Sequence, residues 1–369
     1  MTSLDILPLI IDNEPVHPDG AHVATTTSTN TNGPYVKYVS ASVYEAVRAV
    51  KSSHKAFLSW SRTQPHVRSG ILRQIAALLR ENAQELVQLQ VAETNCPELW
   101  GRINVLWAAL HLEEMSGRIT SAGRITRGSD AGGRLAWCSS VLLGRFYLFR
   151  RSWLHRGVES IRTVTPHAPP SGRDIRNAGL PAGVLNVIQT RREDAAAVTE
   201  AFIAHREIRK IEFIGSARVG RHIGSLAGEH LKPVQMELGG KAAALVLDDA
   251  DLTLAATGCV HGSYMHNGQT CFSTERVIVN AAVVDKFFPI LKKTAADFPV
   301  LGAVSNTGPE NTLRLVQDAL KKGAKLIYGE ARLIKPGQLH PLILSEVTLK
   351  YPSLSCGACL EVPRYFSLT

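Results

Sequence analysis

IEFIGSARVGRHIGSLAG, residues 211–228, and the chain that follows it to QMELGGKAAALVL, residues 235–247, decide the fold class. An apolar run over Lys210–Ile214 reads as a strand. Gly215-Ser216 breaks it, and the helix that follows sets Val219, Ile223 and Leu226 on one face. Pro233 precedes a second strand, 234–237, and the turn LGGK leads to a third, 242–247, read as buried. Strand, helix, strand in this order gives an α/β fold with a largely parallel sheet.

The pattern extends in both directions. Upstream, Val184–Ile188 reads as a strand and 193–205 as a helix. Residues 41–96 read as paired helices, the second starting at Pro65, and Glu98–Arg118 as another. Downstream, helices are expected over 251–264, 282–296 and 309–323, with a strand at Lys325–Tyr328.

The chain has 369 residues, 45% hydrophobic and 20% charged, enough for two domains and a large core. No apolar run is long enough to span a bilayer. MTSLDILPLIIDNEP lacks a basic leader, so a cytoplasmic location is expected. The net charge of +9 is concentrated. Residues 118–176 hold eleven arginines, three acids and no lysine, while the rest carries 30 basic and 29 acidic residues. No nucleic-acid-binding fold accompanies that segment, so no nucleic-acid partner is expected.

Three positions carry candidate chemistry. Gly215-Ser216 at a helix start suits an anion, and equally an ordinary capped helix. Glu237 before a glycine turn suits a general base in a cleft, and equally a solvated strand end. Cys271, in MHNGQTCFSTERVIVN (265–280), suits a nucleophile, and equally buried packing. His261 and His266 read as structural, and Cys259 as a buried helix residue. Cys356 and Cys359 form a lone C-x-x-C with no second pair near it, so no metal site is expected.

Taken together, IEFIGSARVG, HLKPVQMELGGKAAALVLDDADL, GLPAGVLNVI and GQTCFSTERVIV resemble the aldehyde dehydrogenase superfamily. The glutamate and cysteine signatures stand 34 residues apart, and the likeness covers well over half of the chain. The nearest look is of the fungal salicylaldehyde- and vanillin-dehydrogenase-like branch.

The resemblance implies a Rossmann-type cofactor domain with N-terminal helices over 1–235. It implies an α/β catalytic domain over 236–348, both domains incomplete, and a non-family tail over 349–369. It implies oxidation of an aldehyde, aromatic ones included, with Cys271 as nucleophile and Glu237 as base. It implies NAD as the cofactor, with NADP as the alternative, held by Gly215, Ser216, Val219, Leu238 and Gly239.

Two departures stand out. Between about 119 and 178 the family's proline-tryptophan-asparagine motif and its ribose-holding residues are missing. After LHPLILSEVT (339–348) the family's acidic-aromatic-glycine-proline motif and oligomerisation arm are missing. A catalytically impaired remnant, from a faulty gene model or a decayed copy, is the rival reading.

Overall fold

The structure, a computed structural model, describes residues 6–27, 34–122, 178–345 and 359–362. Its contacts divide into two compact units. One draws on residues up to Val91 and on Gly101–Leu238, the other on Ala92–Trp100 and on the chain from Gly239 onward.

The first unit opens with β1 (Ile6–Leu7), β2 (Leu9–Ile11), β3 (Glu14–Val16), β4 (Val23–Thr27) and β5 (Pro34–Val39). Asp12 and Asn13, at φ 59° and 62°, make the two-residue turn of the β2–β3 hairpin. Asp and Asn tolerate this left-handed conformation better than bulkier residues. β5 lies between β1, parallel to it, and β4, antiparallel.

Four helices follow: α1 (Val43–Trp60), α2 (Pro65–Glu81), α3 (Ala83–Thr94) and α4 (Glu98–Ala122). Ser42 and Glu45 form a capping box at the start of α1. The stretch read as two helices over 41–96 is three. Asn82 turns its side-chain amide back to Leu78 O at 2.9 Å and closes α2 before α3 begins. Ile71, Leu72 and Ile75 of α2 pack with Leu86 and Val87 of α3 and with Val105, Ala109 and Leu112 of α4.

Val184–Ile188 is not a strand. Only Val187 bridges to β2, through Ile10. The Asn186 amide instead donates to Ala49 O at 3.0 Å and to Ser53 Oγ at 2.9 Å, and its carbonyl accepts from Asp12 N. These bonds turn the chain from an extended ladder into a loop fastened to α1.

α5 (Arg192–Ala204) precedes β6 (Ile211–Gly215), α6 (Ala217–Glu229) and β7 (Val234–Leu238). β6 and β7 are parallel and adjacent, with α6 as their crossover. Val219, Ile223 and Ala227 of α6 are buried against Phe213, Val234 and Met236. Gly220 lets α6 lie close to β7: a Cβ there would stand 2.9 Å from Leu238 Cδ2, and the leucine would have to shift.

The second unit contains β8 (Ala242–Val246), α7 (Leu252–Tyr264), β9 (Thr274–Val279), α8 (Val284–Ala296) and α9 (Thr307–Lys321). It continues with β10 (Lys325–Tyr328), β11 (Leu333–Lys335), β12 (Gln338–Leu339), β13 (Leu342–Ser345) and β14 (Cys359–Val362). The sheet order is β10-β13-β14-β9-β8, parallel except where β10 meets β13. Phe287 and Leu291 of α8 pack with Val260 and Tyr264 of α7 over Val277, Val279 and Ile343.

One expectation changes in this unit. The strand read as buried over 242–247 ends the sheet order, and Leu245 is 66% exposed. Cys359–Val362, set by the sequence in a non-family tail, forms a strand between β13 and β9. Residues 123–177 of the anomalous segment, with Cys138, lie outside the described residues. So do 346–358, with Cys356, and 363–369. The missing motifs therefore fall outside as well. Among the described residues, no helix is long and apolar enough to cross a membrane.

Candidate active site

Cys271 stands between a helix and a strand, and both are firmly held. Asp251 caps α7, accepting from Thr253 N and Leu254 N at 2.9 and 3.0 Å. At the far end of α7 the Tyr264 hydroxyl donates to Leu342 O in β13 at 3.2 Å. The chain then turns left-handed for three residues. His266 has φ 50°, Asn267 φ 57° and Gly268 φ 68°. Such a conformation costs a non-glycine residue about 1–2 kcal/mol, least for asparagine, so the surroundings must enforce it.

They do so through Gln269 and Trp100. The Gln269 amide donates to His266 O at 2.9 Å, and its carbonyl accepts from Val304 N at 3.1 Å. The buried His266 ring stacks on Trp100, with centroids 6.3 Å apart and planes at 17°. The His266 ring thus packs within this unit. His261 packs edge-on against Phe298 at 5.2 Å.

Beyond Gln269 the chain makes a hydrogen-bonded turn. Ser273 N donates to Thr270 O at 3.1 Å, leaving Cys271 and Phe272 at the two corner positions. Cys271 is half-buried there, and Phe272 is exposed and tilted toward Trp100. Cys271 thus sits at the corner of a turn held by backbone and side-chain bonds.

Cys259 is the contrast. Its thiol lies inside α7, 4% exposed, and burial pushes it up to about 11. Iodoacetamide at pH 8 is expected to modify Cys271 in the folded protein and to leave Cys259 untouched. The raised value alone lowers the Cys259 thiolate fraction about a hundredfold. Peptide mass spectrometry checks this. The buried thiol also stays protonated while its unfolded counterpart ionises, so its contribution to stability declines as pH rises from about 9 toward 11.

The other predicted residues gather in the first unit and at its edge. In the β6–β7 register Glu237 lies beside Ile214 and Leu238 beside Gly215. Ser216 caps α6, its hydroxyl accepting from Val219 N at 3.4 Å. The carboxyl ends of two parallel strands and the start of their crossover helix thus share Gly215, Ser216, Glu237 and Leu238, and Gly239 follows at once. Glu237 is exposed rather than buried. The Val219 side chain is committed to the core beneath α6, so it underlies this turn. Among the described residues, no group of three or more His, Cys, Asp or Glu could hold a metal ion.

Sequence reasoning named Cys271 and missed its supports. Asn267-Gly268 is a turn signal. Nothing local announces that Gln269 reaches Val304, 35 residues away, or that Trp100 covers His266.

The aldehyde dehydrogenase family model matches residues 16–135 and 172–354. Vanillin dehydrogenase of Pseudomonas sp. strain HR199 is 32% identical over 93% of this chain and 76% of its own length. Salicylaldehyde dehydrogenase of Pseudomonas sp. strain C18 is 28% identical over 86% of this chain and 69% of its own. The crystal structure of a salicylaldehyde dehydrogenase from Pseudomonas putida G7, complexed with salicylaldehyde, superposes with TM-score 0.83. It is 24% identical and covers 98% of this chain and 81% of that one. An NAD+ complex of an aldehyde dehydrogenase from Bacillus cereus superposes with TM-score 0.82 at 21% identity, covering 99% and 80%. This chain belongs to the aldehyde dehydrogenase family and is an oxidoreductase of aldehydes that uses NAD(P).

Proposed function

We propose that Cys271 is the nucleophile and Glu237 the base of an aromatic aldehyde oxidation. The Cys271 sulfur adds to the carbonyl carbon, and the Cys271 backbone N–H steadies the oxygen as it gains charge. Bound NAD(P)+ supplies the hydride acceptor. Sulfur suits the task because it must add and later leave. Glu237 then takes a proton from the water that hydrolyses the thioester on Cys271. The observation that carries this reading is the turn at Cys271, a part-buried cysteine behind three left-handed residues. Strained backbone of this kind concentrates at functional sites.

The residues at the β6–β7 end fit a dinucleotide. Ser216, Ala217 and Arg218 are exposed at the α6 N-terminus, where amides and the helix dipole favour a phosphate. Gly220 lets α6 approach Leu238 closely, the packing role that dinucleotide folds assign to a glycine. Gly215, Ser216, Leu238 and Gly239 would hold the pyrophosphate and the nicotinamide side, with Val219 as floor. We assign residues 1–235 to cofactor binding, 236–348 to catalysis, and NAD as the cofactor. The relatives' names, vanillin and salicylaldehyde dehydrogenase, support an aromatic substrate. We assign no nucleic-acid partner and a cytoplasmic location, where a reduced Cys271 persists.

Purified protein with vanillin, salicylaldehyde and benzaldehyde should form NADH. Glu237→Gln should keep the first turnover as a burst and lower steady-state turnover about 10²–10⁴-fold. Stopped-flow absorbance of NADH reads both. Unchanged steady-state turnover would remove Glu237 from the role, and a wild-type chain forming no NADH would return the remnant reading.

A further inference from the structure

A largely buried charge pair joins the segments just downstream of the two proposed catalytic residues. Lys241 lies four residues beyond Glu237, and Glu275 four beyond Cys271. The Lys241 ammonium stands 2.7 Å from Glu275 Oε2, with the side chains 21% and 11% exposed. Arg276 adds a grip on the backbone, donating Nε and Nη2 to Lys241 O at 3.1 and 2.8 Å.

The register shows how Glu275 comes to face the lysine. Ala242 pairs with Thr274, but Ala243 pairs with Arg276. Glu275 is thus the extra residue of a β-bulge between β8 and β9, and bulges re-aim side chains. On β9 it shares the buried side with Val277 and Val279, where an apolar residue is ordinary. Packing alone does not call for ions there. An apolar pair of similar volume is often as stable or more so, because two charges must give up water. What a charge pair adds is one specific register.

That register matters at one end more than the other. Cys271 has its own fastening, the Thr270–Ser273 turn and Gln269. The chain leaving Glu237 passes through Gly239 and Gly240, neither of them crowded. Lys241 is the first residue after them with a side-chain ion pair.

We propose that Lys241, Glu275 and Arg276 are positioning residues, a clip that fixes the glycine turn behind the base to the strand behind the nucleophile. The inference rests on the reading of Glu237 and Cys271 given above. Slack in the glycine turn should appear in thioester hydrolysis, where Glu237 works, before it appears in addition to the aldehyde.

The test uses the full chain with vanillin and NAD+. It compares Lys241→Met, Lys241→Arg, Glu275→Gln and the double variant Lys241→Met/Glu275→Leu. Expected for Lys241→Met and Glu275→Gln are an NADH burst rate within threefold of wild type and a steady-state turnover lowered about ten- to a hundredfold. Lys241→Arg should recover most of the turnover. The double variant should melt at or above the wild-type midpoint and still hydrolyse slowly, since it restores packing without the charged register.

The proposal is overturned if Lys241→Met turns over within twofold of wild type. It is also overturned if burst, turnover and melting midpoint fall together and the double variant restores all three, which is a structural role. Cys271→Ala and Glu237→Gln run alongside. If either leaves turnover intact, the catalytic reading fails and takes the clip with it. If both impair turnover while Lys241→Met does not, the clip alone fails.

Discussion

Cys271→Ala is expected to lose aldehyde-dependent NADH formation by a factor of about 10⁴ or more, while the protein still folds and binds cofactor. The size follows from covalent chemistry. Without the sulfur no tetrahedral adduct forms, and the aldehyde keeps its hydrogen. The turn is closed by a backbone bond, Ser273 N to Thr270 O, which the substitution leaves in place, so the loop should survive the change. Two controls separate chemistry from folding. NAD+ should raise the melting midpoint of wild type and variant alike, since a ligand that binds only the native state stabilises it by mass action. Cys259→Ala should retain turnover, because that thiol is buried in α7 and pushed up to about 11. Oxidation persisting above about one part in a hundred in Cys271→Ala would place the nucleophile elsewhere. The same loss without any NAD+ shift would mark a folding defect.

Legibility in the sequence followed the range of the interactions. The β6–α6–β7 unit was readable almost to the residue, because its signals are local: an apolar run, a glycine and capping serine, then helical spacing. The loop at 184–188 was not. Its Val-Leu-Asn-Val-Ile composition reads as a strand, and what prevents one is the set of Asn186 bonds to α1, over a hundred residues upstream. β8 was read as buried because AAALVL is apolar throughout. Its burial depends on its place in the sheet order, which composition does not contain.

The site divides along the same line. Glu237, Gly215 and Ser216 are proposed one by one from the sequence, and the β6–β7 register brings Glu237 and Gly215 to the same end of the two strands. The fastening of Cys271 was not identifiable. Gln269 to Val304, His266 to Trp100 and Lys241 to Glu275 all join residues from separate elements. A left-handed histidine also contradicts the rule that asparagine and glycine take such positions. The ring stacked on Trp100 is one contact that holds the histidine there.

A chain stopped after Tyr351 is expected to lose the second unit's cooperative melting and to collect in the insoluble fraction. The stop removes β14, which pairs with β13 at four successive positions from Leu342↔Cys359 to Ser345↔Val362. On its other side β14 meets β9 at Glu361↔Arg276, the arginine that holds Lys241 O. β13 is buried along its whole length, so water cannot readily replace the lost backbone partners. Each buried group left without a partner costs about 1–3 kcal/mol. A few such groups are comparable with a whole domain's stability of about 5–15 kcal/mol. The freed edges of β13 and β9 would also offer templates for another chain, which is why aggregation is expected along with unfolding. Leu360→Pro is the milder form. It removes one backbone donor from an interior strand and should lower the melting midpoint while leaving Cys359 and the residues around it in place. Solubility in lysate and a thermal melt decide the matter. A truncated chain that stays soluble and melts at the wild-type midpoint would show that the sheet does not depend on residues 359–362.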